Sequence, residues 1–130
     1  MKKIFFVTLF FVAAIFSFSQ AQQIANVTSL ETYINDKFND TFTFELSEKM
    51  TIEEIREQSS YYTKYFTTTF DEKENSITMK MTNQDWSNRQ IMRRLFAGLQ
   101  IENVILEGKE IRTDEFFKEY VLTTDPLKEK

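Results

Sequence analysis

Met79-Lys80-Met81 sets two thioethers two residues apart, a spacing able to hold copper(I) in an oxidising compartment, and Met50 and Met92 lie elsewhere in the chain. Residues two apart on a strand share a face, and Ile77 shares this one, so core packing competes with ligation as the role of both methionines. Glu53, Glu54 and Glu57 invite an acid–base reading, yet no pair is singled out to face another carboxylate across a cleft. Asp71, Glu72, Glu74 and Asn75 cluster oxygen donors in "DEKEN" without the glycine and offsets of a calcium loop, and read as a solvated turn. Arg89, Arg93 and Arg94 concentrate positive charge. On a helix they are either a solvated face or a contact for an acidic partner.

The absences weigh as much as the clusters. The chain has no histidine and no cysteine, which removes the usual zinc, haem and blue-copper ligand sets and the Ser-His-Asp and Cys-His nucleophile systems. No disulfide can supplement the core. Met1-Lys2-Lys3, an apolar run from Ile4 to Phe18 and the small residues of Ser19-Gln20-Ala21 follow the plan of a secretory signal, expected over 1–21. The run is too short for a comfortable membrane span of about 20 residues. Without Lys2 and Lys3 the remainder carries 14 basic against 20 acidic residues, a net charge of −6. That balance argues against nucleic acid as a partner.

Elements that would position these groups follow from the apolar periods. Thr28 and Glu31 suggest a capping box for a helix burying Leu30, Tyr33, Ile34 and Phe38, the body of an N-terminal helical extension over 22–40. Phe42, Phe44 and Leu46 alternate with polar residues as a strand. Thr51 and Glu54 form a second box, opening a helix that buries Ile52 and Ile55. Phe66, Thr68 and Phe70, then Ile77, Met79 and Met81, give two strands joined through "DEKEN" as a hairpin, with threonines on the opposite face. Ser87 and Gln90 suggest a third box, with Trp86 stapled onto Ile91, and Gly98 would end that helix in a left-handed conformation. "IENVILE" reads as a strand. Asp114 to Leu122 reads as a helix, a strand being the alternative, with Phe116, Phe117 and Tyr120 on its apolar side. It belongs to a C-terminal extension over 108–130 with a polar tail.

The order β-α-β-β-α-β over 41–107 is the split βαβ pattern of a ferredoxin-like α+β fold, an antiparallel sheet with helices on one face. On that order the segment resembles heavy-metal-associated domains. Met50 stands where their loop methionine would be, and Gly98-Leu99 looks like their terminal glycine and large residue. The resemblance implies a metal loop between first strand and first helix, but Ile52 and Ile55 occupy its cysteine positions. Isoleucine donates no electron pair, so thiolate-held copper or zinc is ruled out there.

The expectation is therefore an exported, periplasmic or secreted module without catalysis, metal or cofactor. It would bind an envelope or periplasmic protein, a second copy of itself being among the candidates. Arg89, Arg93, Arg94, Phe116, Phe117 and Tyr120 are the candidate partner contacts. A soft-metal carrier using Met79 and Met81 or a small-ligand pocket, and a carboxylate-dependent hydrolase, are the alternatives from other classes.

Overall fold

A computed structural model describes residues 22–82 and 86–122, apart from the side chains of Trp86 and Ser87. The signal over 1–21, the polar tail and the Trp86–Ser87 staple and cap lie outside the described residues. The described residues are α+β, with one six-stranded mixed sheet and four helices among them. The elements are β1 Gln23–Val27, α1 Leu30–Phe38, β2 Thr41–Leu46, α2 Ile52–Ser59, β3 Phe66–Asp71, β4 Ser76–Met81, α3 Met92–Gly98, β5 Ile101–Leu106, β6 Lys109–Arg112 and α4 Thr113–Phe116. A 3-10 stretch, Trp86–Ile91, leads into α3, and a π-helical turn, Phe117–Val121, prolongs α4.

The strand order is β3-β4-β2-β1-β5-β6. Strands β2 and β3 are each antiparallel to β4, so they run parallel on either side of it, joined by α2. Where an antiparallel sheet was expected, β1 and β5 form a parallel pair, which makes the sheet mixed. Segment 22–40 contains the expected helix, α1, and a strand before it. Its first residues are a strand between β2 and β5, with Gln23, Ala25 and Val27 buried. The C-terminal segment likewise adds edge strand β6 before its helix.

The alternation expected of β2, β3 and β4 sorts the side chains. Phe42, Phe44, Leu46, Phe66, Ile77, Met79 and Met81 are buried, while Thr43, Thr67, Thr69 and Lys80 are exposed on the other face. Thr43 and Thr78 share a hydroxyl hydrogen bond of 3.0 Å across that face. Tyr33 of α1, Ile55 of α2, Met92, Leu95 and Phe96 of α3 and Phe116 and Phe117 all join one core with the inner face. The helices are thus one layer and the threonine face lies bare on the other side, the arrangement in which an antiparallel region meets water on one face.

Local capping explains where the helices start, with some differences from expectation. Thr51 and Glu54 form the full capping box. Glu72 Oε2 accepts from Ile52 N at 2.7 Å, so the hairpin turn, expected to be merely solvated, also caps α2. For α1 the cap is Ser29, whose hydroxyl accepts from Thr32 N, and Glu107 Oε2 accepts from Leu30 N. Thr28 does not serve. On α1 Lys37 is 3 % exposed and Phe38 41 %, the reverse of the expected order. The left-handed residue after α3 is Gln100, φ 64°, and Gly98 stays helical. A Cβ at Gly98 would meet only the flexible end of the Gln58 side chain of α2.

Asn75 fixes the β3–β4 hairpin to the loop before α2. Its backbone is left-handed, φ 55°, and its amide donates to Leu46 O at 2.8 Å and Glu48 O at 3.0 Å, while Oδ1 accepts from Met50 N. Asn75→Ala should cost about 2–4 kcal/mol, combining an unfavourable left-handed alanine with lost hydrogen bonds. Asn75→Gly should recover about 1 kcal/mol of that. Urea denaturation of both variants checks the order, and a loss near zero for alanine would contradict it.

Candidate binding groove

The candidate contacts separate into three environments. Arg89 does not join the surface: it is 4 % exposed. Its guanidinium donates to Val121 O at 3.0 Å and Lys37 O at 3.4 Å, pairs with Asp40 Oδ1 at 3.0 Å, and lies 5.2 Å over the Phe42 ring. The expected solvated or partner-facing Arg89 is corrected here, because the 3-10 stretch before α3 turns it inward. Phe116 and Phe117 are fully buried in the chain's own core, which leaves neither free for a partner. Phe116 packs on Phe44 and Tyr33, with centroids 5.9 Å and 5.6 Å away, and Phe117 meets Phe96 edge-on at 5.2 Å. Tyr120 is half-buried, stacked on Phe116. Met79 and Met81 are buried beside Ile77 and pack in the core.

Arg93 and Arg94 do reach solvent. Arg93 leans over Phe117, 6.0 Å from its centroid. It lines two adjoining open depressions of about 520 Å³ and about 630 Å³ that also share Arg112 and Asp114, so together they form one groove. Phe96, Gln100 and Glu102 line one end, Lys118 and Leu122 the other. Sequence reasoning missed Arg112 and Lys118. Arg112 ends β6, whose signal was the Glu107-Gly108 turn, a two-residue left-handed pair with φ 49° and 87°.

The electrostatics of the groove are mixed. Arg112 Nε lies 3.4 Å from Asp114 Oδ1, both well exposed, a pair of small energetic weight. Two guanidiniums from different elements still present forked donors suited to carboxylates. Elsewhere, the carboxylates of α2 lie exposed, with Glu54 engaged in its cap. Among the described residues no three His, Cys, Asp or Glu side chains group to hold a metal ion. No helix among them is long and apolar enough to cross a membrane.

Comparison with known proteins finds no matching family model, and neither curated proteins nor solved structures give a significant match.

Tyr33, under the helix layer, donates its hydroxyl to Tyr120 O at 3.0 Å. Burial pushes its phenol well above the ordinary tyrosine value of 10.0, against the opposing pull of the Arg89 charge. A raised folded-state value means the stabilisation is intact below about pH 10, where the unfolded phenol begins to ionise, and is lost as pH rises further. Tyr33→Phe should flatten that alkaline decline and cost about 1 kcal/mol at neutral pH. Urea midpoints from neutral to alkaline pH check it, and parallel curves for parent and variant would contradict it.

Proposed function

We propose that this chain is a small exported, non-catalytic binding module that takes an acidic, extended segment of an envelope or periplasmic protein into the Arg93–Arg112 groove. The observation that carries the reading is the convergence of Arg93 from α3 and Arg112 from β6 on one open groove of an acidic chain. Guanidiniums on separate elements can hold carboxylates along an extended segment. The basic-apolar-small leader supports export. The absence of histidine and cysteine from the sequence supports a role in binding over nucleophilic or thiolate-metal chemistry.

The finer fold reading is a ferredoxin-like split βαβ unit enlarged by β1 and β6. It is supported by the parallel placement of β2 and β3 around β4 with α2 as the connection. The Met50 loop is then the place of the metal loop in heavy-metal-associated domains, used here to start a helix and to anchor Asn75.

The test is site-specific photocrosslinking in intact producing cells, with the crosslinker at Gln100. The expected result is one reproducible partner, captured on the order of tenfold less by the Arg93→Glu, Arg112→Glu double variant while the fold is retained. Equal capture by parent and variant, or none from abundant folded protein, would overturn the proposal.

A further inference from the structure

The two edges of the sheet are treated differently. Strand β6 has four residues, three of them Lys109, Glu110 and Arg112, and runs directly into α4. Short length and charge are the usual guards against strand pairing. Strand β3 ends the sheet on the other side with six residues, FTTTFD, and has no proline and no charge before Asp71. No strand among the described residues pairs with its outer edge.

The hydrogen-bond phase of β3 decides what that edge offers. Thr82 N donates to Tyr65 O, which makes Tyr65 and Thr82 a bonded pair in the register that continues as Phe66–Met81 and Thr67–Lys80. Bonded and non-bonded pairs alternate in an antiparallel ladder. Residues 65, 67, 69 and 71 therefore turn their backbone groups toward β4, and Phe66, Thr68 and Phe70 turn theirs to the open edge. A second copy placed about a two-fold axis at Thr68 sets Thr68 against Thr68 of the partner subunit. It also sets Phe66 against Phe70 of the partner subunit, with each pair exchanging both backbone bonds. Carried past the strand ends, the same register brings Lys64 opposite Glu72 of the partner subunit, and Tyr65 opposite Asp71 of the partner subunit. The charges thus match in the one register that uses every outward-facing residue from Phe66 to Phe70.

A side-chain observation falls on the same axis. Thr68 Oγ1 is buried and has no hydrogen-bond partner among the described residues. Such a group carries a desolvation cost until something bonds it. It lies in a depression of about 250 Å³ between β3 and α2, lined also by Ile52, Ile55, Arg56 and the half-buried Phe70. A second strand on this edge brings Thr68 and Phe70 of the partner subunit toward that depression and places a hydroxyl opposite the unsatisfied one.

The geometry points to a symmetric dimer in which β3 pairs antiparallel with β3 of a second copy, centred on Thr68, and two sheets join into one. The groove at Arg93 and Arg112 lies toward the opposite edge, near β5 and β6, so a dimer of this kind presents two grooves facing away from each other.

Analytical ultracentrifugation of the purified protein from about 1 to 100 μM tests the proposal. The expected result is a doubling of mass within that range, lost in Thr68→Pro. Proline there removes an N–H that β4 does not use, and an edge strand tolerates it. Because the chain has no cysteine, Thr68→Cys adds an independent readout. Bonded antiparallel pairs sit about 5.5 Å apart, within disulfide reach. The variant should crosslink to a covalent dimer under mild oxidation, whereas Glu110→Cys on the other edge should not. A monomer throughout the range, a dimer that survives Thr68→Pro, or no faster crosslinking at Thr68 than at Glu110 would each overturn it. A monomer would leave the edge to an extended peptide from another protein.

Discussion

A buried guanidinium is the constraint around which this protein is assembled. Arg89 sits under the helix layer against Phe42, and a charge in that position is tolerable only where hydrogen-bond acceptors meet it. The chain supplies them from separate places: the Asp40 carboxylate at the turn into β2, the Lys37 carbonyl at the end of α1, and the Val121 carbonyl at the end of the last helical turn. The two carbonyls belong to helix ends, and Lys37 O also accepts from Asp40 N at 2.9 Å. One side chain thus answers two helix termini and its own burial together, and in doing so it joins the first and last helices to the segment that leads into α3.

The arrangement matters because no helix among the described residues could stand alone. The longest, α1, has nine residues, and α4 has four before its π turn. Isolated helices of such length are not stable in water. Their stability comes from shared aromatic burial. Phe44 touches Phe96 at 5.2 Å and Phe116 at 5.9 Å, and Tyr33 reaches Phe42, Phe44 and Phe116. Burying all of this on one side leaves the threonine face and the outer edge of β3 facing solvent, with the Arg93–Arg112 groove at the margin of the helix layer.

How much of this the sequence discloses depends on how local its causes are. The period of β2, β3 and β4 is a property of six-residue segments, and it correctly assigns Phe42, Phe44, Ile77, Met79 and Met81 to the inner face. The Thr51–Glu54 box needs only four residues and is found as expected. The five-residue β1 and four-residue β6 are too brief for their alternation to stand out, so strands that complete the sheet were read as helical or unassigned flanks. Arg89 was misplaced because helical spacing groups it with Arg93. The 3-10 geometry before Met92 separates them, burying one and exposing the other. Asn75 acts through residues some 25 positions away, and Arg112 enters the groove only because β6 exists. The partners of Asn75 leave no mark in its neighbours, and the local mark of β6 is the Glu107-Gly108 turn.

A double-mutant cycle on Arg89 and Asp40 by urea denaturation tests the central claim most directly, comparing the parent with Arg89→Met, Asp40→Asn and the double variant. If Arg89 is the buried tie between helix ends, Arg89→Met should cost about 3 kcal/mol or more, and the double variant should be more stable than the sum of single effects implies, by at least about 1 kcal/mol. A loss under about 0.5 kcal/mol with additive effects is the behaviour of a solvated surface arginine, and would contradict the account.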